Sequence, residues 1–98
     1  MDIKVTRTRR IGYYEITYDD IRGEVEAPRF KTDQWWGIHR GVVDFREFVK
    51  KKNSETDDLL GEGFEIHDVS IGETEAETIW NNNHNDETWT LTYEVLNE

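Results

Sequence analysis

The sequence predicts an α+β domain in which one amphipathic helix packs on one face of an antiparallel sheet of five or six strands, in the order β-β-(β)-α-β-β-β. Apolar and polar residues alternate near both ends of the chain, a central stretch repeats apolar residues at helical spacing, and clusters of turn-forming residues separate these segments. At 98 residues with twelve aromatic side chains, we expect a single compact domain over residues 1–98 with one core.

The first strands are predicted between residues 2 and 27. Ile3 and Val5 alternate with polar neighbours, and a second alternating run surrounds Ile16. A third, short run over 23–27 ends at the only proline, which cannot donate a hydrogen bond to a neighbouring strand and so favours a strand end or an edge. Two or three strands therefore precede the helix.

The helix is predicted in the middle of the chain. Apolar residues recur there at steps of three and four and so share one helical face: Trp35, Ile38, Val42, Phe45 and Val49. The predicted helix has Thr32 as its N-cap. Its C-terminal end is indicated by the lysines at 50–52, which precede Asn53. Because Gly37 and Gly41 each disfavour a helix interior by about 1 kcal/mol, residues 41–52 form the best supported span.

The C-terminal half predicts a strand over Phe64–Ile71 and then a hairpin of Glu73–Trp80 and Glu87–Leu96, joined by turn-forming residues. If Trp80 lies opposite Glu87, one face forms core from Trp80, Trp89, Leu91, Tyr93 and Val95. The other face then carries Glu73, Glu75, Glu77 and Glu94 among Thr88, Thr90 and Thr92.

Charge is divided unevenly along the chain. All twelve Lys and Arg lie in the first 52 residues, and the last 46 carry thirteen acids and no base. So acidic a half predicts a basic partner and disfavours direct binding to nucleic acid or to a membrane surface. The chain has no cysteine, signal-peptide pattern or apolar run long enough to span a bilayer, so we expect a cytoplasmic protein, of the cell or of an infected host.

The acidic strand residues are the first candidate site. Carboxylates at every second strand residue lie about 6.6 to 7 Å apart, close to the roughly 6 to 7 Å between successive phosphates, so the row could imitate a nucleic-acid strand. Glu65 and Asp68 lie nearby in the sequence. Trp36, beside the helical stripe, is the candidate apolar anchor. The predicted partner-binding residues are Glu73, Glu75, Glu77, Glu94, Asp57, Asp58, Glu62 and Trp36.

Two alternatives assign these acids no partner. In one, they solvate an open sheet face and deter pairing between sheet edges. In the other, basic residues on neighbouring strands neutralise them internally, namely Arg7, Arg9, Arg10 and Arg22. The order of the strands decides between internal neutralisation and an exposed acidic face.

The sequence carries no motif for metal binding or catalysis. His39, His67 and His84 lack the spacing of a zinc site, and no motif brings a nucleophile to a base. We therefore expect no metal, no cofactor and no enzymatic activity. An enzyme or small-ligand binder would instead require a pocket that collects His67, His39 or Asp44.

Small, acidic, cysteine-free single domains without catalytic motifs resemble, as a class, the inhibitors carried by phages and mobile elements, anti-CRISPR and anti-restriction proteins among them, and toxin-immunity proteins. The sequence thus favours an inhibitor that occupies the basic surface of a nuclease or another nucleic-acid-binding protein. The alternative is a non-enzymatic assembly module that self-associates through an edge strand or the Trp36 flank.

Overall fold

The computed structural model describes residues 1–12, 14–18 and 37–96. The elements within these ranges confirm the predicted α+β class, with one helix and an antiparallel sheet. In chain order they are β1 (Ile3–Ile11), β2 (Tyr14–Tyr18), β3 (Gly37–His39), α1 (Phe45–Leu60), β4 (Glu65–Ile71), β5 (Glu75–Asn82) and β6 (Glu87–Val95). The predicted short run at 23–27 and the Trp36 flank lie outside the described residues.

The strands lie in the order β2-β1-β6-β5-β4, and every pair is antiparallel. The short β3 pairs with the start of β1, opposite residues 3–5, while β2 pairs with residues 7–11. Since β6 pairs with all nine residues of β1 on its other side, β2 and β3 share one edge of β1. β6 is therefore central, and β4 is the far edge.

Alternation along the strands separates two faces of the sheet. On the face that packs against α1, the core comprises Ile3, Val5, Phe45, Val49, Leu60, Ala76, Trp80, Trp89, Leu91 and Tyr93. The alternate residues of β1, β5 and β6 lie on the other face, called here the open face. The strand predictions near the chain start and at Phe64–Ile71 agree with these elements to within a few residues.

The helix begins and ends with recognisable caps. Asp44 is the N-cap, and its Oδ1 accepts a hydrogen bond from the Glu47 N–H at 3.1 Å. At the other end Gly61 has a φ of 75°, and its N–H donates to the Asp57 carbonyl at 3.1 Å. Of the described helix residues, Phe45, Val49, Asn53, Thr56 and Leu60 are buried, at steps of four, four, three and four.

The predicted helix was wrong at both ends. Gly37 and Gly41 have φ values of 110° and 73°, which a right-handed helix excludes, and the chain at Gly37–His39 forms a strand instead. Ile38 and Val42 therefore precede the helix, while Trp35 and the proposed cap at Thr32 lie outside the described residues. The helix also continues past the predicted end, because its buried stripe proceeds through polar residues that have partners in the core.

Those partners form a buried polar network between helix and sheet. Asn53 Nδ2 donates to Thr78 Oγ1 at 2.7 Å, and the Tyr93 hydroxyl donates to Asn53 Oδ1 at 2.7 Å. Burial, with the Glu55 carboxylate as a second cause, raises the pKa of Tyr93 far above its ordinary value near 10. A satisfied polar network thus occupies helix positions where apolar periodicity alone predicts a turn.

The hairpin register differs from the predicted one by two residues. Trp80 lies opposite Trp89, and Asn82 lies opposite Glu87, so the connecting loop is only 83–86. The Asn82 side chain closes this loop by accepting from the backbone N–H groups of residues 84 and 85 at 3.0 and 3.3 Å. Because side chains alternate with a period of two, this shift leaves each residue on its predicted face.

In the described part of the chain, no helix has the length and the apolar character needed to cross a bilayer. The 16 residues of α1 include four acids and four bases.

Candidate acidic interface

Five exposed carboxylates lie on the open face, on strands β4, β5 and β6: Glu65, Asp68, Glu75, Glu77 and Glu94. We call them the acidic sheet patch. Their positions follow from pairing, since Asp68 and Glu65 lie opposite Ile79 and Asn81, which share a face with Glu75 and Glu77. Three of the predicted site residues are therefore brought together, and two acids from β4 join them.

Glu75 and Glu94 lie directly opposite each other on β5 and β6. The Val95 N–H donates to the Thr74 carbonyl at 2.9 Å, which makes the next pair along, Glu75 with Glu94, a non-hydrogen-bonded one. In such pairs the Cα atoms are only about 4.5 Å apart and the side chains are close. Two like charges thus occupy the closest kind of cross-strand position, which destabilises the sheet.

Among the described residues, none of the ion pairs involves the acidic sheet patch. The pairs join Arg9 to Glu87, Arg40 to Asp2, Lys50 to Glu47 and Lys52 to Glu55, at nitrogen–oxygen distances of 2.6, 2.9, 3.9 and 3.7 Å. Lys4 lies opposite Glu94 on β1 but forms no ion pair with it. The patch carboxylates therefore remain without an ion-pair partner within the described chain.

Strand order explains why the arginines of β1 lie away from the patch. β6 separates β1 from β5 and β4, so among the bases of β1 only Lys4 lies opposite a patch carboxylate, Glu94. Arg7 and Arg9 project to the helix side: the Arg7 guanidinium carbon lies 4.3 Å from the centroid of the Trp89 ring, and Arg9 pairs with Glu87. Arg10 lies on the open face opposite Thr88 and Glu15, away from the acidic sheet patch, and Arg22 is outside the described residues.

Threonines occupy the middle of the open face, between the acids and the bases of β1. Thr6 lies opposite Thr92, and Thr8 lies opposite Thr90. Next to them, a shallow depression of about 360 Å³ is lined by Thr8, Arg10, His67, Ile79, Asn81, Thr88 and Thr90. The open face is therefore polar and uncharged at its centre, acidic at one side and weakly basic at the other.

Glu73 lies outside the strand in which it was predicted. β5 begins at Glu75, and Glu73 is in the three-residue connection between β4 and β5. Together with Glu75, Glu77 and neighbouring residues it lines an open groove of about 640 Å³ at this end of the sheet. Only Glu75 and Glu77 therefore follow one strand at alternate positions, so the acids form a two-dimensional patch rather than a row.

The remaining predicted acids, Asp57, Asp58 and Glu62, lie at the C-terminal end of α1, on the opposite side of the sheet. Asp57 Oδ1 accepts a hydrogen bond from Trp80 Nε1 at 3.2 Å, which ties it to the core. All three are exposed, and the last helical turn contains no basic residue, although the helix dipole favours bases there. The predicted site is thus divided between two acidic surfaces, and Trp36 lies outside the described residues.

The sequence pattern does not assign Glu65 and Asp68 to a face. Strict alternation places residues three apart on opposite faces of a strand. A register shift between Ile66 and Asp68 inserts His67 as an extra residue, so Glu65 and Asp68 share the open face. The nearby turn residues Gly61 to Gly63 give no sign of this bulge, and pairing with β5 was needed to find it.

The structure does not gather the side chains that a catalytic pocket would need. His67 lines two shallow depressions on the open side, whereas His39 packs against Phe48 with ring centroids 5.3 Å apart, and Asp44 caps the helix. Across the described ranges, no three His, Asp or Glu side chains come together as a metal-binding group.

Comparison with known proteins finds no family model, no curated protein and no solved structure that matches this chain, so its function is inferred from the chemistry of its surfaces.

Proposed function

We propose that the protein is a non-enzymatic binding module that covers a Lys- and Arg-rich surface of a nucleic-acid-binding protein, such as a nuclease, and thereby excludes its substrate. The observation that carries the proposal is the close pairing of Glu75 with Glu94, beside Glu77, without an ion-pair partner among the described residues. Adjacent like charges cost stability in the free protein. A cationic partner would remove that cost.

The distribution of charge supports rapid recognition of such a partner. The chain carries a net charge of −10, and of the bases on the described strand β1 only Lys4 lies opposite a carboxylate of the acidic sheet patch. A field of one sign accelerates encounter with a basic groove and opposes approach by nucleic acid. The same field competes with nucleic acid for a partner's lysines and arginines, and the cytoplasm is where we expect this competition.

The proposed imitation of nucleic acid concerns only the charge and spacing of the carboxylates. Glu75 and Glu77, at alternate positions of β5, lie about 6.8 Å apart given the strand rise, similar to adjacent phosphates. Glu94 adds a charge beside this pair. Inhibitors of anti-CRISPR, anti-restriction and toxin-immunity type use stoichiometric binding of this kind, and the analogy rests on size and charge alone.

The test compares two triple variants with equal changes in net charge. Glu75→Gln, Glu77→Gln and Glu94→Gln neutralise the acidic sheet patch, whereas Glu47→Gln, Asp58→Asn and Glu62→Gln neutralise three exposed acids on α1 and just after it. Each purified protein is used to capture partners from a lysate of its host at about 100 mM and about 500 mM salt, with and without duplex DNA as competitor. Retained proteins are identified by mass spectrometry and then tested as purified proteins.

The expected result is a nucleic-acid-binding protein that wild type and the α1 variant retain, that DNA or high salt displaces, and that the sheet variant retains at least about tenfold less. Equal binding of that protein by both variants would contradict the assignment of the interface to the sheet. Retention of proteins that DNA does not displace would contradict competition with nucleic acid.

Self-association through an edge strand is the second candidate, because β4 is an exposed edge of the described sheet, although the acids on this edge repel a second copy. A charge-driven complex weakens between low and high salt, whereas apolar self-association persists or strengthens. Sedimentation of the protein alone at both salt concentrations separates the two functions. A dimer that persists at high salt would favour the assembly module.

A further inference from the structure

β4 is an exposed edge of the sheet. It pairs with β5 on one side, and in the described part of the chain no strand pairs with it on the other. Six of its seven residues are exposed. An edge of this kind presents backbone N–H and C=O groups to which an extended peptide can add as a further strand.

Hydrogen bonding at the β4–β5 turn identifies which residues of β4 direct their backbone outward. The Gly72 N–H donates to the Glu75 carbonyl at 2.8 Å, so these two residues form a hydrogen-bonded pair. Because hydrogen-bonded and non-hydrogen-bonded pairs alternate, Ile71 and Val69 turn their N–H and C=O groups away from β5. Arg46 Nη1 lies 3.5 Å from the outward carbonyl of Ile71, which leaves Val69 as the centre of the open edge.

The two sides of this edge differ in chemistry. On the helix side, Ile66 and Val69 are 47% and 44% exposed, which leaves apolar surface uncovered. On the open side, Glu65 and Asp68 are exposed, with Glu77 of β5 beside them. A strand added next to β4 would therefore meet apolar side chains on one face and carboxylates on the other.

We propose that β4 is the docking edge for a strand of the partner in which lysine or arginine alternates with apolar residues. The inference rests on the proposed function and states how the partner is held. Main-chain hydrogen bonds at Val69 align the partner's strand. The basic side chains of that strand face Asp68 and the rest of the acidic sheet patch, and its apolar side chains cover Ile66 and Val69. Because successive side chains of a strand point to opposite faces, such a strand places its apolar residues on the apolar side of β4 and its basic residues on the acidic side.

Charge argues against a second copy as the occupant. Each copy carries a net charge of −10, and pairing of two β4 strands would bring two acidic sheet patches side by side on one continuous face. The bulge at His67 further limits regular pairing of two such edges. The acids that oppose self-pairing attract a basic strand, so the same residues select the partner.

The test uses the full-length protein and a capped synthetic peptide of alternating Lys and Val, about nine residues long as in an ordinary strand. A peptide of alternating Glu and Val is the charge control. Binding is followed by backbone NMR shifts and by hydrogen exchange of the Val69 amide. Val69→Pro removes the outward N–H without removing a bond to β5, and Val69→Ala keeps the N–H while removing most of the side chain.

We expect the Lys–Val peptide to shift β4 amides, to slow exchange at Val69 and to bind more weakly at high salt. Val69→Pro should weaken binding at least about tenfold, and Val69→Ala only a few-fold. Equal binding of the two peptides, binding without protection of Val69, absence of binding at about 1 mM peptide, or β4 shifts that depend on protein concentration alone would each overturn the proposal. If Val69→Pro does not fold, exchange at Val69 in the wild-type protein decides.

The captured partner separates this inference from the proposed function. If Val69→Pro retains the partner as well as wild type does while the sheet variant loses it, the acidic interface stands and strand addition is overturned. If all three proteins retain it equally, both proposals fail.

Discussion

The two faces of β6 differ in how their carboxylates are accommodated. On the helix side its polar residue Glu87 is buried and has two partners, since its Oε2 accepts from Arg9 Nε at 2.6 Å and from Trp89 Nε1 at 2.8 Å. On the open side Glu94 is exposed opposite Glu75, without an ion pair in the described chain. One strand thus shows a carboxylate placed for stability and a carboxylate whose placement lowers stability.

This difference bears on function. A buried carboxylate requires hydrogen-bond or ion-pair partners, because an unpaired charge removed from water carries a large desolvation penalty. An exposed carboxylate need not change the stability of the fold, whereas a close pair of like charges lowers it. Local losses of stability of this kind are expected at functional sites. The acidic sheet patch is therefore a better candidate interface than the acids of the helix, one of which, Asp57, contacts the core.

Adjacent residues of β6 that lie on opposite faces should differ most in their contribution to the free energy of unfolding. Leu91→Ala removes a fully buried side chain and should lower the free energy of unfolding by about 2 to 5 kcal/mol. Thr90→Ala, on the open face, should change it by less than about 1 kcal/mol. Urea unfolding followed by tryptophan fluorescence measures both. Similar costs for the two variants would mean that the faces are not divided as described.

Glu87→Ala and Glu94→Ala compare the two carboxylates directly. Glu87→Ala deprives the Arg9 guanidinium and the Trp89 indole of their acceptor and should destabilise by about 2 to 3 kcal/mol. Glu94→Ala removes one member of a like-charge pair, so its unfolding midpoint in urea should stay close to that of wild type. A larger loss for Glu94→Ala than for Glu87→Ala would reverse the assignment of roles.

Tyr93→Phe tests the buried polar network and its dependence on pH. Without the hydroxyl, Asn53 Oδ1 loses a donor, and we expect a loss of about 1 to 2 kcal/mol at neutral pH. Burial raises the pKa of Tyr93 in the folded state, so its contribution is complete below the unfolded pKa near 10 and declines above it.

Above about pH 10, wild-type stability should therefore fall more steeply than that of Tyr93→Phe, by about 1.4 kcal/mol per pH unit. Urea midpoints between neutral pH and about pH 11 provide the measurement. Parallel decline of both proteins would show that the Tyr93 hydroxyl is not held protonated in the core.

The like-charge pair on the open face should have the weakest effect on stability. Glu75→Gln removes the repulsion from Glu94 and should stabilise the free protein by about 0.2 to 0.5 kcal/mol at low salt. The gain should disappear near 1 M salt, where the Debye length is about 3 Å. Glu62→Gln, just after the helix, serves as a charge-matched control, because Glu62 has no opposing acid in register and takes part in none of the ion pairs of the described residues. No gain at low salt would indicate that the two carboxylates avoid each other.

Much of the sheet could be predicted because alternation is a local property. Trp80, Trp89, Leu91 and Tyr93 were assigned to the core face and Glu94 to the open face, and a register error of two residues did not change either. The helix was less predictable, because its stripe includes Asn53 and Thr56, whose burial depends on partners distant in sequence.

The α+β class, the two faces of β5 and β6 and the division of charge along the chain follow from residue type and from spacing within one segment, so they can be predicted from the sequence. The positions of the acids relative to each other and to the bases follow from the packing of distant segments. Strand order places β6 between β1 and β5, and the bulge at His67 brings Glu65 and Asp68 to one face. The last turn of α1 and the residues after it hold Asp57, Asp58 and Glu62 on the other side. Pairing between distant segments sets these positions, and no local pattern encodes it.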